Sequence, residues 1–309
     1  MTEPRPGPVT VSVPATSANL GPGFDSLGLA LDVRDTITAE VYDGPLAITV
    51  EGEGADDVPL TFEHLVHRSM DAAFGALGIS TPGLRLECRN LIPHARGLGS
   101  SSAAIVGGIV LARALVTEGV RLLDDAAVLD LANRLEGHPD NVAPALLGGF
   151  TVATRDDAGS GGRVHVARLG VDPDIGAVAF VPPEGVETTV ARALLPAMVP
   201  HADAAANAGR AALLVAALTG RPDLLLPATR DWLHQEQRRS AMPESMALVE
   251  ALRAEGVAAV ISGAGPTVLA LVRTADVCEV ARRTPAHWTA FTPAVGAAGA
   301  VVDRSRAGH

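Results

Sequence analysis

Apolar positions along the chain recur with two different periods, and the switches between them outline its elements. Alternation predicts strands over residues 9–14 and 84–89, and residues 27–33, 36–41 and 46–51 read as strands as well. Helical spacing of Leu65, Met70, Ala73, Phe74 and Leu77 predicts a helix over 62–77, stopped by Gly78. Residues 101–118 are apolar nearly all round, so this helix is expected to be buried, with Gly119 as its C-terminal cap. An amphipathic helix over 122–135, a short helix over 142–147 and a strand over 150–154 follow. Beyond them the pattern predicts strands over 164–169 and 177–181, a short helix over 188–195 and a long alanine-rich helix over about 203–218. Residues 224–233 read as helical, 243–255 as a helix closed by Gly256, 257–261 and 267–272 as strands, 276–283 as a last helix and 300–304 as a closing strand.

Strands and helices interleave in both halves, with hairpin-like strand pairs. That predicts an α+β chain of two sandwiches, not one doubly wound sheet. The run 156–162, DDAGSGG, is built of turn-forming residues. It sets a boundary between a first domain over 1–160 and a second over 161–309. A length of 309 residues can hold one large domain or two of about 150 each. Neither internal repeats nor low-complexity tails are present.

Composition sharpens this picture. Hydrophobic residues make up 48% and aromatics only 3%, so Ala, Val and Leu must fill an ample core. A net charge of −11 argues against broad nucleic-acid or membrane-surface binding. Any anion must then be held by a local site. Cys88 and Cys278 lie too far apart in sequence to suggest a disulfide framework or a zinc cluster. With no apolar signal core at the N-terminus and no run long enough for a membrane span, a cytoplasmic protein is expected. All 24 basic residues are arginines. The lack of lysine excludes a Walker A loop, whose Lys reaches the phosphates, and Schiff-base catalysis.

The candidate chemistry gathers in a few polar segments. Residues 92–108, IPHARGLGSSSAAIVGG, run from a proline turn through Gly97 and Gly99 into three serines and a helix. Glycines permit close backbone approach, serines can cap the helix, and its first N–H groups make a ready anion site. The dinucleotide fingerprint is absent, since Ser102 stands where it needs a third glycine. A serine beside phosphates can ligate Mg²⁺, and Ser101 is the one assigned. Residues 136–141 pack Glu136, His138, Asp140 and Asn141 around Pro139 at a helix junction. Glu136 could hold the metal, with His138 and Asn141 on a substrate. Asn19 and Asp25 flank a Gly-Pro-Gly turn and are either turn chemistry or ligand contacts. Arg192 and Arg238 are either solvated helix residues or forks for a carboxylate. Residues 263–266 form either a simple hairpin or a backbone that a ligand can approach.

Three of these stretches, PATSANLGPGFD at 14–25, PHARGLGSSSA at 93–103 and SGAGPTVLAL at 262–271, resemble in order and spacing the three motifs of the GHMP kinases. Further segments, EGHPDNVAPALLGG at 136–149, TTVARALLP at 188–196 and DWLHQEQR at 231–238, resemble those members of the family that phosphorylate L-homoserine in threonine synthesis. The resemblance runs from about residue 9 to 272. It implies an N-terminal domain like ribosomal protein S5, a ferredoxin-like C-terminal domain and, commonly, a homodimer. It implies that Pro93, His94, Ala95, Arg96, Gly97, Leu98, Gly99, Ser100, Ser101, Ser102 and Ala103 wrap the phosphates of ATP, and that Ser101 and Glu136 hold Mg²⁺. Asn19, Asp25, His138, Asn141, Arg192 and Arg238 would line the homoserine site. Asp25 would face the ammonium, the two arginines the carboxylate, and Asn141 would orient the attacking hydroxyl, with Asn141 and Arg192 at the reacting centre. Two features depart from relatives. Glu136 and His138 are nearly adjacent where some have extra residues between them, and the lysine that mevalonate-type members use is missing. Asp140 is the nearby acid. A loose phosphoryl-transfer transition state needs little prior proton abstraction, so no dedicated general base is expected.

Overall fold

The computed structural model describes residues 4–5, 7–156 and 162–303. Its first sheet is built on the antiparallel pair β1 (Val9–Ala18) and β2 (Leu27–Val41). The register slips where Pro14 faces Arg34 but Ala15 faces Leu31. Asp32 and Val33 bulge out, and the strand bends there. The two strands expected over 27–41 are therefore one. The bend has a use: the later part of β2 pairs with β4 (Leu84–Asn90), while Leu27–Leu29 pair with β5 (Phe150–Arg155). β3 (Ala47–Gly52) lies parallel to β4, β6 (Val164–Leu169) pairs with β5, and β11 (Val301–Asp303) returns to the free edge of β1.

Five helices accompany this sheet: α1 (Leu65–Ala76), α2 (Ser100–Ala114), α3 (Gly119–Leu122), α4 (Asp125–Glu136) and α5 (Pro139–Leu147). α2 is buried on nearly every face, as its unbroken apolar run requires, and packs on α1, α4 and β1. Ile105, Ile109, Met70 and Phe74 join Val11, Val13, Leu29 and Ile37 in one core. Each such side chain contributes about 1.5–3 kcal/mol when fully buried. The N-terminus of α2 is thereby fixed rigidly above the ends of the strands. Gly119 is not a cap: α2 stops at Ala114, and Gly119 opens α3.

The second sheet has the order β10 (Thr289–Phe291), β7 (Ile175–Val181), β9 (Val268–Arg273), β8 (Ala258–Ile261), all antiparallel. In chain order these strands are fourth, first, third and second. With helices between the first and second and between the third and fourth, this is the ferredoxin-like arrangement. The helices are α6 (Thr188–Ala193), α7 (His201–Gly220), α8 (Leu225–Ala228), α9 (Pro243–Ala254) and α10 (Val277–Ala281).

The α+β expectation holds in both sheets, with local differences. The helix expected over 224–233 is only α8. The Asp231 carboxylate accepts the backbone N–H groups of Leu233, His234 and Gln235, offering the chain an alternative to continued helix. β10, three residues long, is too short to show a period. β6, assigned to the second half by a boundary near 160, is hydrogen-bonded into the first sheet, so the change of sheet falls between Leu169 and Ile175. The turn expected at 156–162 lies largely at 157–161, outside the described residues. Among those described, no helix is long and apolar enough to cross a membrane.

Candidate active site

A cleft of about 250 Å³ opens between the two sheets. Its roof is the loop into α2. Gly97 and Gly99 both adopt the left-handed conformation, with φ of 74° and 72°. A Cβ on Gly99 would lie 2.0 Å from Thr16 Oγ1, and one on Gly97 2.2 Å from the Ser262 carbonyl. Only glycine fits at either place. The N-cap of α2 is Gly99, with no side-chain hydrogen bond, so the expected serine cap is not formed. The reason lies in register: the serines are already the first turn of the helix. The first intrahelical bond of α2 runs from Ala103 N to Gly99 O at 2.9 Å. The amides of Ser100, Ser101 and Ser102 therefore have no carbonyl within the helix, and the positive end of its dipole faces the cleft.

The loop is clamped from the second sheet. Ser262 Oγ lies 2.6 Å from Gly97 O, Gly263 N donates to Ala18 O at 3.0 Å, and Thr267 N to Arg96 O at 3.3 Å. Ala95, Gly97, Gly99, Ser100 and Ser101 line the cleft. The other expected loop residues play different parts. The Arg96 guanidinium turns away to the carbonyls of His94, Pro182 and Pro183. Leu98 and Ala103 are buried in the core and Ser102 is also fully buried. His94, with Ala95, Ser100 and Ser101, borders a second cavity of about 340 Å³, walled by Ile37, Val58, Pro59 and Val66. Pro93 opens the turn and is buried.

At the mouth of the loop, Ser101 Oγ donates to Glu136 Oε1 at 2.8 Å and Ser102 Oγ to the same oxygen at 2.9 Å. A carboxylate and two hydroxyls beside an anion site are hard oxygen donors. They suit Mg²⁺, which keeps its waters and takes few protein ligands. The Ser102 hydroxyl was not foreseen here. The i, i+1 serine pair on one helix turn was the signal for it.

Below the loop, Asn141 Oδ1 accepts from Thr16 Oγ1 at 2.8 Å. That identifies the carbonyl side of the amide and leaves Nδ2 as its donor, and Asn141 lines the cleft. His138 and Asp140 pair through Nδ1 and Oδ1 at 2.8 Å. Burial works against the imidazolium. The hydrogen bond and charge of Asp140, with Glu136 adding to them, outweigh it and raise the His138 pKa above its ordinary value. Asp140 itself is 1% exposed.

The far wall carries the arginines. Arg192 grips Asp25 with two hydrogen bonds, at 2.6 and 3.2 Å. Asp25, expected opposite an ammonium, is here the partner of Arg192. Asn19 also serves as a brace: its Nδ2 donates to Gly263 O at 2.8 Å and its Oδ1 accepts from Asp25 N at 2.9 Å. Asn19, Leu20 and Asp25 all have positive φ, a concentration of local backbone strain in the turn that bounds the cleft. Arg238 is 1% exposed. Its Nε donates to Ala191 O at 3.2 Å and its Nη1 to Gly263 O at 3.3 Å, with His234 Nδ1 at 3.1 Å. All three partners are neutral. Burial, then the charge of Arg192, pull the Arg238 pKa down to about 10. A buried cation with no anion bonded to it is costly, and the cleft before it is a place for a carboxylate. Phe24, 5.5 Å beneath both guanidinium carbons, and Thr188 complete the wall.

The structure thus brings Asn19, Ser101, Glu136, His138, Asn141, Arg192 and Arg238 around one cleft, from segments far apart in sequence. Thr16, Phe24 and His234 were passed over, since each acts through a neighbour whose position the sequence does not reveal.

Comparison with known proteins agrees. The profile of the GHMP kinases N terminal domain matches residues 64–149, and that of the GHMP kinases C terminal matches 203–290. The homoserine kinase of Streptomyces avermitilis is 56% identical over 298 residues, covering 96% of each chain. That of Streptomyces coelicolor is 55% identical over 300 residues, covering 96% of this chain and 95% of its own. The crystal structure of homoserine kinase from Cytophaga hutchinsonii matches with a TM-score of 0.79 at 27% identity, over 96% of this chain and 97% of that one. With paired family domains across both sheets and relatives this similar over nearly their full length, the chain belongs to the GHMP kinases and, within them, to the homoserine kinases.

Proposed function

We propose that the protein transfers the γ-phosphoryl group of ATP to the side-chain hydroxyl of L-homoserine, giving O-phospho-L-homoserine and ADP. The observation that carries this reading is one cleft holding both an open helix N-terminus and, across it, a buried guanidinium without an anion, with the Asn141 amide between them. The amides of residues 97–102 hold the phosphates. The 340 Å³ cavity behind Ser100 and Ser101, mostly apolar in its walls, takes the base. Arg238 and Arg192 receive the amino-acid carboxylate, and Asp25, exchanging one cation for another, receives the ammonium.

The acceptor hydroxyl oxygen takes a hydrogen bond from Asn141 Nδ2 and keeps a lone pair for attack at phosphorus. As the new P–O bond forms, the bond to the ADP oxygen breaks, and the hydroxyl proton leaves late to a phosphoryl oxygen or water. Positioning and fixed dipoles carry the rate. Bound Mg²⁺ neutralises phosphate charge, and Ser101, Glu136 and the neighbouring Ser102 would hold it. Asp140 is committed to His138 and enclosed, which supports transfer without a dedicated base. The same reading includes a homodimer, with the protein in the cytoplasm. Light scattering tests the first.

The test is acceptor-dependent ADP release with L-homoserine, serine, threonine and mevalonate. Homoserine is expected to give the highest kcat/KM. Preference for mevalonate, or binding of homoserine without ADP release, would refute the proposal.

A further inference from the structure

We propose that His234 is the positioning residue for Arg238, its Nδ1 acting as a fixed acceptor that aims the guanidinium into the cleft. The inference rests on the reading of Arg238 as the carboxylate fork. His234 is 0% exposed and does not line the cleft. Its Nε2 lies 2.7 Å from Gly21 O. A carbonyl can only accept, so Nε2 carries the proton and the neutral ring offers its lone pair at Nδ1. Arg238 Nη1 sits on that lone pair at 3.1 Å.

The ring must be neutral for this contact, since an imidazolium would put a donor against a donor. Burial, assisted by the charge of Arg238, lowers the His234 pKa, with Asp231 pulling the other way. Asp231 lies 3.8 Å from Nε2, and its oxygens already hold three backbone amides. The tautomer and the charge state therefore agree.

The geometry shows what His234 adds. Ala191 O holds Nε of Arg238, and Gly263 O and His234 Nδ1 both hold Nη1. Three acceptors shared between Nε and Nη1 fix the plane of a rotamer-rich side chain and leave Nη2 for an incoming oxygen. A fork fixed before binding loses less entropy when the carboxylate arrives. Through Gly21, the same imidazole ties Arg238 to the turn that carries Asn19 and Asp25. Phe24 packs at 5.2 Å from the imidazole and 5.5 Å from the guanidinium carbon, closing the assembly from below.

Steady-state kinetics on the full chain separate this role from a merely structural one. His234→Gln keeps a donor near Nε2 and loses the acceptor, His234→Asn keeps an acceptor near Nδ1, and His234→Leu loses both. Gln and Leu should raise the homoserine KM about tenfold, the size of one hydrogen bond to a charged group. Asn should stay within about threefold of wild type, and the ATP KM of all three should be unchanged. Turnover of 3-aminopropan-1-ol, homoserine without its carboxylate, should not distinguish the variants. Thermal melting identifies folded variants, and if His234→Leu does not fold, the Gln and Asn pair decides. A wild-type homoserine KM in His234→Gln, or an equal rise in the ATP KM, overturns the inference. Arg238→Ala separates the two levels. If it leaves the homoserine KM unchanged, the carboxylate reading itself fails. If it raises the KM while His234→Gln does not, only the positioning role fails.

Discussion

Adding one methyl group at Gly99 should disable the cleft through three linked effects. Gly99 has φ of 72°, and in that conformation an alanine costs about 1–2 kcal/mol. Its Cβ would stand 2.0 Å from Thr16 Oγ1 and 3.2 Å from Asn141 Oδ1. The hydroxyl must swing away, losing its 2.8 Å bond to Asn141, worth about 1 kcal/mol. Residual crowding adds about 1 kcal/mol or more. The sum is a loss of about 3 kcal/mol, within what a domain of ordinary stability tolerates. Urea unfolding should show it as a lower midpoint with an unchanged slope. The kinetic effect should be larger than the folding effect suggests. Asn141 is released and the N-terminus of α2 is pushed from the strand ends, and a misplacement of about 1 Å costs about 10² in rate. Turnover should fall about a hundredfold, with a raised KM for ATP. A Gly99→Ala protein that unfolds at the wild-type urea concentration and turns over normally would refute this account of the loop.

Other expectations follow from the same geometry. Asp140→Asn should lower kcat by less than about 10³, the size of general acid–base catalysis, and a larger loss would establish a base. Glu136→Gln should raise the Mg²⁺ concentration needed for half-maximal rate while leaving homoserine affinity intact, and an unchanged Mg²⁺ requirement contradicts the metal assignment. Asp35 accepts the amides of Leu91 and Ile92 at 2.7 and 2.9 Å, yet burial raises its pKa to about 6. Between about pH 4 and 6 the folded chain keeps a proton that the unfolded chain has lost. Stability from this group is therefore complete below about pH 4 and is lost as pH rises through 6, by up to about 3 kcal/mol. Asp35→Asn should flatten that part of a stability–pH curve measured by urea unfolding, and an unchanged slope contradicts the assignment.

The anion site and most elements were legible because their determinants are local. Glycines, serines and an unbroken apolar run identify the start of α2 wherever it sits. The cleft also gathers residues by long-range contact. Asn19 and Gly263, 244 positions apart, meet through one hydrogen bond. No local pattern announces it. Nor could the sequence show that Asp25 holds Arg192 or that His234 stands behind Arg238, because charge and spacing alone do not say which side chain faces which. The bulge at Asp32 and Val33, opposite Pro14 and Ala15, which lets one strand serve two neighbours, is likewise a tertiary fact. The misplaced helix over 224–233 shows the reverse: apolar spacing was present, and the Asp231 carboxylate overrode it.

The most direct measurement is a ³¹P NMR time course of the protein with MgATP and L-homoserine. Transfer to the side-chain hydroxyl predicts growth of ADP together with a phosphomonoester signal split by the two protons of the adjoining carbon. That signal should be lost when Ser101 and Glu136 are replaced together. Inorganic phosphate appearing with ADP in its place, or ADP formation that does not depend on homoserine, would contradict the assignment of this cleft.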